Sequence, residues 1–272
     1  MMEGSANVIS IPRRALIGHT GFVGSNLARQ RRFDGLFNSR NIGELNQSEY
    51  DVTVCAAVSA VKWKANLDPQ GDWQAIEKLL ESLKRHSCRR FILISTVDVY
   101  PNPNLATEDL DVGHLTNHAY GTNRRRVEEF IVEHFPDHYI VRLPGLFGYG
   151  LKKNVIFDLL NNRELEVINP NSSYQYYDLS RLSDDLDKAM HQGIRLLNLA
   201  TEPILTGQII RRFFASRSVG QRAGPTLHYD FRSRYSSHWG SSNGYLYSAT
   251  TVLDDLERFL VAQPGFQRPG RE

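Results

Sequence analysis

The sequence predicts an α/β fold: a doubly wound parallel sheet with helices on both faces and a small, loop-rich C-terminal part. Three observations lead there. Short apolar runs alternate with helical periodicity from residue 14 to residue 142, a glycine-rich turn joins the first strand to the first helix, and the pattern loosens near Pro144. Residues 14–18 read as a short apolar strand, 24–32 as a helix and 33–38 as a second, weak strand. Residues 51–57 are a β-branched run of the kind buried on both faces. A helix over 72–86 follows from Trp73, Ile76, Leu79, Leu80 and Leu83, which recur at threes and fours. Then come a strand over 91–95, a helix over 123–135 and a strand over 139–142. Beyond Pro144, residues 151–161, 182–192, 207–215 and 250–261 read as helices and 196–199 as a strand, while 216–248 reads as a loop rich in Arg, Ser, Gly and Tyr.

Composition bounds the function. The chain has 272 residues, 41% of them hydrophobic, enough for one large domain or two small ones with a proper core. With 32 Lys+Arg against 30 Asp+Glu, the formal charge of +2 gives no footprint for nucleic acid, so no nucleic-acid partner is expected. Cys55 and Cys88 belong to no CxxC pair, which argues against a disulfide framework or a zinc site, and the nine histidines show no metal-ligand spacing, so no metal is expected. The apolar runs are too short to span a bilayer, and the first ten residues carry no secretory pattern. The expectation is a soluble, reduced, cytoplasmic protein without a membrane partner.

The strongest local feature is Gly18-His-Thr20-Gly21-Phe22-Val23-Gly24, placed directly after a strand and opening a helix. Glycines at this spacing permit a tight turn and a close backbone approach, and the free N–H groups and positive dipole end of the helix suit a pyrophosphate. Gly18, Thr20, Gly21, Phe22, Val23 and Gly24 are therefore candidate dinucleotide contacts.

The GxxGxxG spacing resembles that of the extended short-chain dehydrogenase/reductase family, the NAD-dependent epimerases and dehydratases, whose members mostly act on nucleotide sugars. Further matches follow in order. Asp51-Val-Thr-Val-Cys-Ala56-Ala57 resembles the family strand that ends in two alanines beside the cofactor, and Ser95-Thr96-Val-Asp98-Val-Tyr100 resembles its Ser/Thr-bearing active-site strand. Tyr120 stands where the family's catalytic tyrosine leads a helix, and Arg142-Leu-Pro144-Gly-Leu-Phe-Gly-Tyr-Gly150 resembles the stretch that flanks the nicotinamide. Leu197-Asn-Leu-Ala200 is similar to a later strand bearing an asparagine, so the resemblance covers most of residues 13–200. It implies a Rossmann-like dinucleotide-binding domain over 13–150, completed by a strand near 194–200. A smaller, interwoven substrate-binding part would span 151–262, with flexible ends at 1–12 and 263–272.

The resemblance also implies the chemistry: hydride transfer at a sugar carbinol while Tyr120 exchanges the hydroxyl proton and Thr96 orients the substrate oxygen. A free phenol has a pKa of about 10 and needs nearby positive charge to act as a base at neutral pH. The family places a lysine four residues after the tyrosine; this chain has Arg124, which keeps the helix face but replaces a point charge with a planar fork, in a chain of 25 arginines and 7 lysines. Asp98 matches a glutamate of several dehydratases and decarboxylases, yet Val97 stands where a dehydratase wants an acid. This combination argues against dehydration and for reduction or epimerisation. Catalytic candidates are Tyr120, Arg124, Thr96 and Asp98.

After the second strand, where an NAD site carries an acid, the chain reads Asn38-Ser39-Arg40-Asn41, which suits a 2′-phosphate and favours NADP(H) over NAD(H). The local text is most like the GDP-fucose synthase and dTDP-sugar reductase branch. Only eleven residues separate Ser39 from Asp51, so the usual third strand and its helix are expected to be missing. Cofactor candidates beyond the glycine turn are Ser39, Arg40, Ala56, Ala57, Tyr120, Arg124 and Pro144. Lys62, Lys152, Tyr176 and Arg232 are candidate contacts for a nucleotide-linked sugar, because a diphosphate wants cations and a base wants an aromatic ring. The late loop adds Arg217, Arg222, Arg234, His228 and Tyr229 to the same expectation. Two other readings stay open: a dinucleotide-binding sensor or regulatory protein without turnover, and a related enzyme acting on a non-nucleotide substrate. The sequence also leaves open a homodimer.

Overall fold

The computed structural model describes residues 12–266, so of the flexible ends expected over 1–12 and 263–272, residues 1–11 and 267–272 lie outside the described residues. Of the remaining expected tail, Phe266 packs edge-on against Phe214 with ring centroids 5.9 Å apart. The first half alternates strands and helices: β1 (Arg14–Ile17), α1 (Phe22–Gln30), β2 (Gly35–Phe37), β3 (Tyr50–Cys55), α2 (Lys62–Leu67), α3 (Pro69–Leu83), β4 (Cys88–Thr96), α4 (Ala119–His134) and β5 (His138–Leu143). The second half holds β6 (Gly145–Phe147), α5 (Val155–Asn161), β7 (Ser173–Tyr174), β8 (Tyr176–Asp178), α6 (Leu182–His191) and β9 (Leu196–Asn198). It closes with β10 (Ile204–Leu205), α7 (Thr206–Phe213) and α8 (Ala249–Val261).

Six strands form one parallel sheet in the order β2-β1-β3-β4-β5-β9, with Ile17 opposite Cys55, Cys55 opposite Leu93 and Thr96 opposite Leu143. The strand order reverses at β1, so a crevice opens at the carboxyl ends of β1 and β3, where open α/β sheets bind their ligands. Side chains alternate across the sheet as the period of two requires. Leu16, Val54, Ile92, Ile94 and Val141 point to a core shared with Leu27 of α1 and Leu182 and Leu186 of α6. Ala15, Ile17, Cys55, Phe91, Leu93 and Ile140 point to the other face, against Ile76 and Leu80 of α3 and Val127 and Ile131 of α4. Both faces are covered. A third core joins Phe147, Ile156 and Leu159 to Ile209 and Phe213 of α7 and to Leu253 and Leu256 of α8.

Capping chemistry moves several helix starts from where periodicity places them. Asp68 accepts from the Gly71 N–H at 2.9 Å with Pro69 behind it, so α3 begins at Pro69 rather than at residue 72. His118 accepts from the Gly121 N–H at 3.0 Å, so α4 begins at Ala119 rather than at residue 123. Asn154 accepts from the Phe157 N–H at 3.1 Å and starts α5 at Val155 rather than at residue 151. Between β2 and β3 there is a short 3-10 helix, Ile42–Gln47, whose Leu45 is buried, and three-residue β2 forms the sheet edge. Among the described residues, no helix is long and apolar enough to cross a membrane, and Cys55 and Cys88 are free thiols.

Two polar systems tie the layers together. Glu128 of α4 accepts from Arg142 of β5 at 2.6 and 3.0 Å and from Ser95 of β4 at 2.5 Å. Arg142 also donates to the Tyr100 hydroxyl at 2.7 Å, and Asn198 of β9 donates to the same oxygen at 3.0 Å. Glu128, Arg142 and Asn198 are all buried. On the opposite side, Asn26 and Gln30 of α1 donate to the carbonyls of Tyr149 (2.9 Å) and Leu179 (2.7 Å), and Arg31 donates to Ser183 and pairs with Asp187 of α6. The first helix is thereby stitched to the second half of the chain.

A third buried cluster sits at the amino ends of the strands. His86 is 7% exposed, with Nε2 2.8 Å from the Thr53 hydroxyl and Nδ1 3.1 Å from Asn46 Oδ1. Burial pushes its pKa from 6.5 down to about 4, so the folded protein holds the ring neutral while the unfolded chain protonates it. This contribution to stability is complete above pH 6.5 and is lost as the pH falls toward 4. Urea unfolding at pH 7 and again at about pH 4.5 is expected to show a loss of about 2 kcal/mol from this ring, and His86→Gln to remove that increment from the acid limb.

Candidate active site

The glycine turn is closed by backbone contact. Gly18 has φ +88°, and a Cβ there would lie 2.6 Å from the Ala56 carbonyl carbon and oxygen. At Gly24 a Cβ would lie 2.1 Å from the Gly18 carbonyl oxygen. Neither position has room for a side chain, so the start of α1 is drawn against the end of β3. No side chain caps α1, which leaves the first N–H groups around Phe22, Val23 and Gly24 directed at whatever binds there. Thr20 is exposed beside them, and Ala56 and Ala57 are half-buried at the facing strand end. Ser39 and Arg40 are exposed just past β2, and the Arg40 guanidinium has no partner among the described residues. Pro144 lies half-buried between β5 and β6. A donor set at a cradle too tight for a Cβ, with an unpaired arginine at the outer end, fits a dinucleotide phosphate chain.

The catalytic candidates do converge. Tyr120 is 6% exposed at the start of α4, its phenol interacting with the Thr96 side chain at the end of β4. Its backbone N–H donates to Asn66 Oδ1 of α2 at 2.9 Å, and Asn117 donates to the carbonyls of Asp98 and Val99 at 2.9 and 3.0 Å. These bonds join α2, the head of α4 and the turn after β4. Arg124 stacks on the Tyr120 ring with its guanidinium carbon 4.0 Å from the centroid. The same guanidinium forms a buried, two-pronged ion pair with Asp72 of α3 and donates to the Ser59 carbonyl at 2.5 Å. Burial pushes the Tyr120 phenol above its usual pKa; Asp98 and Asp72 add to this, and Arg124 and Thr96 oppose it without prevailing. Arg124 does lower the phenol pKa, but desolvation and the nearby carboxylates outweigh it in the free protein.

Asp98 pairs with Lys62 of α2 at 2.7 Å, so one expected catalytic residue and one expected substrate contact engage each other. Burial disfavours the Lys62 ammonium, but the adjacent carboxylate more than compensates and raises its pKa. Tyr229 of the late segment interacts with the same lysine and lies 5.8 Å, centroid to centroid, from Tyr174. Lys153 reaches the Ala60 carbonyl, while its neighbour Lys152 is exposed and has no side-chain partner among the described residues. Among the described residues, no group of three or more His, Cys, Asp or Glu is placed to hold a metal ion.

Other substrate expectations are corrected. Tyr176 is 3% exposed in the third core with Phe147 and Ile156, where burial raises its phenol pKa. Pairing of β8 with β6 turns it inward, away from any ligand. The late-loop arginines are mostly engaged with acids: Arg232 with Asp230 at 3.2 Å and over the Tyr245 ring, Arg222 with Glu166 at 2.7 Å, and Arg234 with Asp109. Arg222 and Arg234 tie residues 216–248 to the body and Arg232 pairs within that segment, so these three form no free cationic patch. Conversely, Asp72, Ser59 and Asn66 belong to the site without any sequence signal. Asp72 sits in a helix with ordinary aliphatic spacing, 52 positions from its partner.

A family model described as the NAD dependent epimerase/dehydratase family matches residues 35–184. No curated protein matches the sequence. Among solved structures, a dTDP-4-dehydrorhamnose reductase from Clostridium acetobutylicum aligns with TM-score 0.70 at 14% identity, covering 92% of this chain and 98% of that one. The dTDP-4-dehydrorhamnose reductase of Bacillus anthracis, in complex with NADP, aligns with TM-score 0.70 at 16% identity over 93% and 99% of the two chains. A dTDP-glucose 4,6-dehydratase from Streptomyces venezuelae, a double mutant with NAD bound, aligns with TM-score 0.69 at 15% identity over 93% and 98%. At these identities the likeness is one of fold.

Gly24→Ala tests the closed turn. With a Cβ 2.1 Å from the Gly18 oxygen the backbone has to move, and the expected outcome is a loss of about 1–3 kcal/mol in urea unfolding. A rise in melting temperature on adding a nicotinamide dinucleotide, read in the parent, should vanish in the same variant.

Proposed function

From the premise that the chain belongs to the NAD-dependent epimerase/dehydratase family, we propose that it is an NADP(H)-dependent oxidoreductase or epimerase acting on a nucleotide-linked sugar, with Tyr120 as its acid/base. One observation carries this reading: the buried Tyr120 phenol meets Thr96 at the carboxyl end of β4, on the same edge of the sheet as the closed glycine turn. A proton-transferring group and an anion-binding helix start then flank one crevice.

A bound nicotinamide would supply or accept the hydride. The glycine turn and the first N–H groups of α1 would hold the phosphates, Ser39 and Arg40 the 2′-phosphate, and Ala56, Ala57 and Pro144 would line the ring end. Thr96 would orient the substrate oxygen beside Tyr120, and Lys62, Lys152 and Tyr229 would stand on the sugar-nucleotide side. Solved relatives in fold include a reductase in complex with NADP and a dehydratase with NAD bound, so both cofactors occur on this scaffold. The unpaired Arg40 supports NADP(H) for this chain.

A second reading, a dinucleotide-binding sensor without turnover, is favoured by one feature: Arg124 spends its donors on Asp72 and Ser59, and none of its hydrogen bonds is to the Tyr120 phenol oxygen. Turnover separates the two. Parent protein is expected to oxidise NADPH, followed by nicotinamide absorbance, with at least one member of a panel of keto-sugar nucleotides. Tyr120→Phe should lower kcat by about a hundredfold or more with NADPH affinity retained. Cofactor binding with no turnover on any substrate would leave the sensor.

The cofactor preference has its own check. Arg40→Ala should weaken NADPH binding about tenfold or more in a fluorescence titration and leave NADH unchanged, since only the former carries the phosphate that a guanidinium grips.

A further inference from the structure

Arg124 and Asp72 have side chains 4% and 10% exposed, so their pairing takes place almost without water. Both prongs of the guanidinium meet the Asp72 carboxylate, one of them at 2.9 Å, and Asn123 adds a bond to the same carboxylate at 2.8 Å. The remaining Nη contacts go to the Ser59 carbonyl at 2.5 Å and the Tyr120 carbonyl at 3.4 Å. Nε is buried with no hydrogen-bond partner among the described residues. A guanidinium pinned along its Nη edge in this way is held in place, and its central carbon sits over the Tyr120 ring, 4.0 Å from the centroid. Three elements therefore meet in one stack: α3 through Asp72, the segment after β3 through Ser59, and α4 through Arg124 and Tyr120.

The charge facing Tyr120 is balanced. On α4 stand Arg124 and His118, whose ring is 6.3 Å from that of Tyr120 and is held neutral-leaning by burial and by Lys62. From α3 comes Asp72, from the turn after β4 comes Asp98, and from α2 comes Lys62, itself paired to Asp98. Each cation beside the phenol has its own carboxylate. A lone cation would favour loss of the phenol proton strongly; one offset by a carboxylate at hydrogen-bond distance favours it less, and here Arg124 lowers the Tyr120 pKa without prevailing over burial.

We propose that Asp72 is a positioning residue of this site: by holding Arg124 over the Tyr120 ring and offsetting its charge, it keeps Tyr120 protonated and able to donate its proton in carbonyl reduction. This deepens the reading proposed above and rests on it for the reaction. In the reductive direction the carbonyl π bond breaks, and the carbon gains the hydride of the reduced nicotinamide, which leaves oxidised. The oxygen takes the proton of Tyr120, whose O–H electron pair stays on the phenolate until solvent reprotonates it.

The charge balance is read on the free protein by NMR of tyrosines labelled at Cζ, the Tyr120 signal being assigned through Tyr120→Phe. At one alkaline pH where the fold is intact, Asp72→Asn should raise the phenolate fraction of Tyr120 about tenfold, the equivalent of one pH unit. Arg124→Met should not raise it, Asp72→Glu should match the parent, and the double variant Asp72→Asn/Arg124→Met should return to the parent value. Singles that both raise the fraction, or an Asp72→Asn variant that leaves it unchanged, would overturn the proposal. Should Asp72→Asn not fold, the comparison of Arg124→Met with the double variant reads the same balance: the fraction must rise on removing Asp72, and no rise overturns it. Cofactor and substrate are absent from this measurement, so a failure to bind NADPH would strike the proposed function separately from the titration.

Discussion

The dry ion pair between Arg142 and Glu128 sets where everything at the catalytic end can be. Both side chains are buried, and their bonds run to β4 through Ser95 and to β9 through Tyr100 and Asn198. Such a pair adds little net stability by itself, yet stranding one partner costs about 3–5 kcal/mol, so it tolerates only the complete arrangement. Its consequence is rotational. Tyr120, Arg124 and Glu128 stand four residues apart and share one stripe of α4. Fixing Glu128 on the sheet fixes the roll of the helix, and with it the direction in which the tyrosine and arginine point.

The parts of this architecture legible in the sequence are those where sterics leave one answer. Strands β1, β3, β4 and β5 read clearly because both their faces are covered, which demands continuous β-branched and aliphatic runs. The glycine turn reads clearly because backbone atoms fill the space where side chains at 18 and 24 would go. Helix α2 does not read as a helix: Trp63 and Leu67 face outward, 71% and 78% exposed, and only Ala65 is buried. It lacks the apolar stripe that periodicity detects. Tyr176, expected at the substrate, turns inward instead, because strands of two and three residues give too little pattern to say which side chain does so. Asp72 was invisible for a simpler reason, since an ion pair between residues 52 apart leaves no local trace.

Arginine usage misleads in the same way. A chain with 25 arginines suggests broad cationic surfaces for phosphates, but Arg124, Arg142, Arg181, Arg222, Arg232 and Arg234 each hold an acid. Arg124 and Arg142 join strands and helices to one another, Arg181 reaches α8, and Arg222 and Arg234 fasten residues 216–248, where backbone ladders are scarce. Guanidinium suits this use because its planar fork loses little entropy per bond formed.

Helix α1 carries one more implication. Its first turn faces the crevice, while its last turns are bonded through Asn26, Gln30 and Arg31 to Tyr149, Leu179 and Ser183. Nine residues of rod thus join the crevice to the segments that carry Tyr149, Leu179 and Ser183. A ligand that binds the tip only in the folded chain stabilises the contacts at the far end of the same rod as well. Occupancy of the crevice and attachment of the second half of the chain are linked through that one helix.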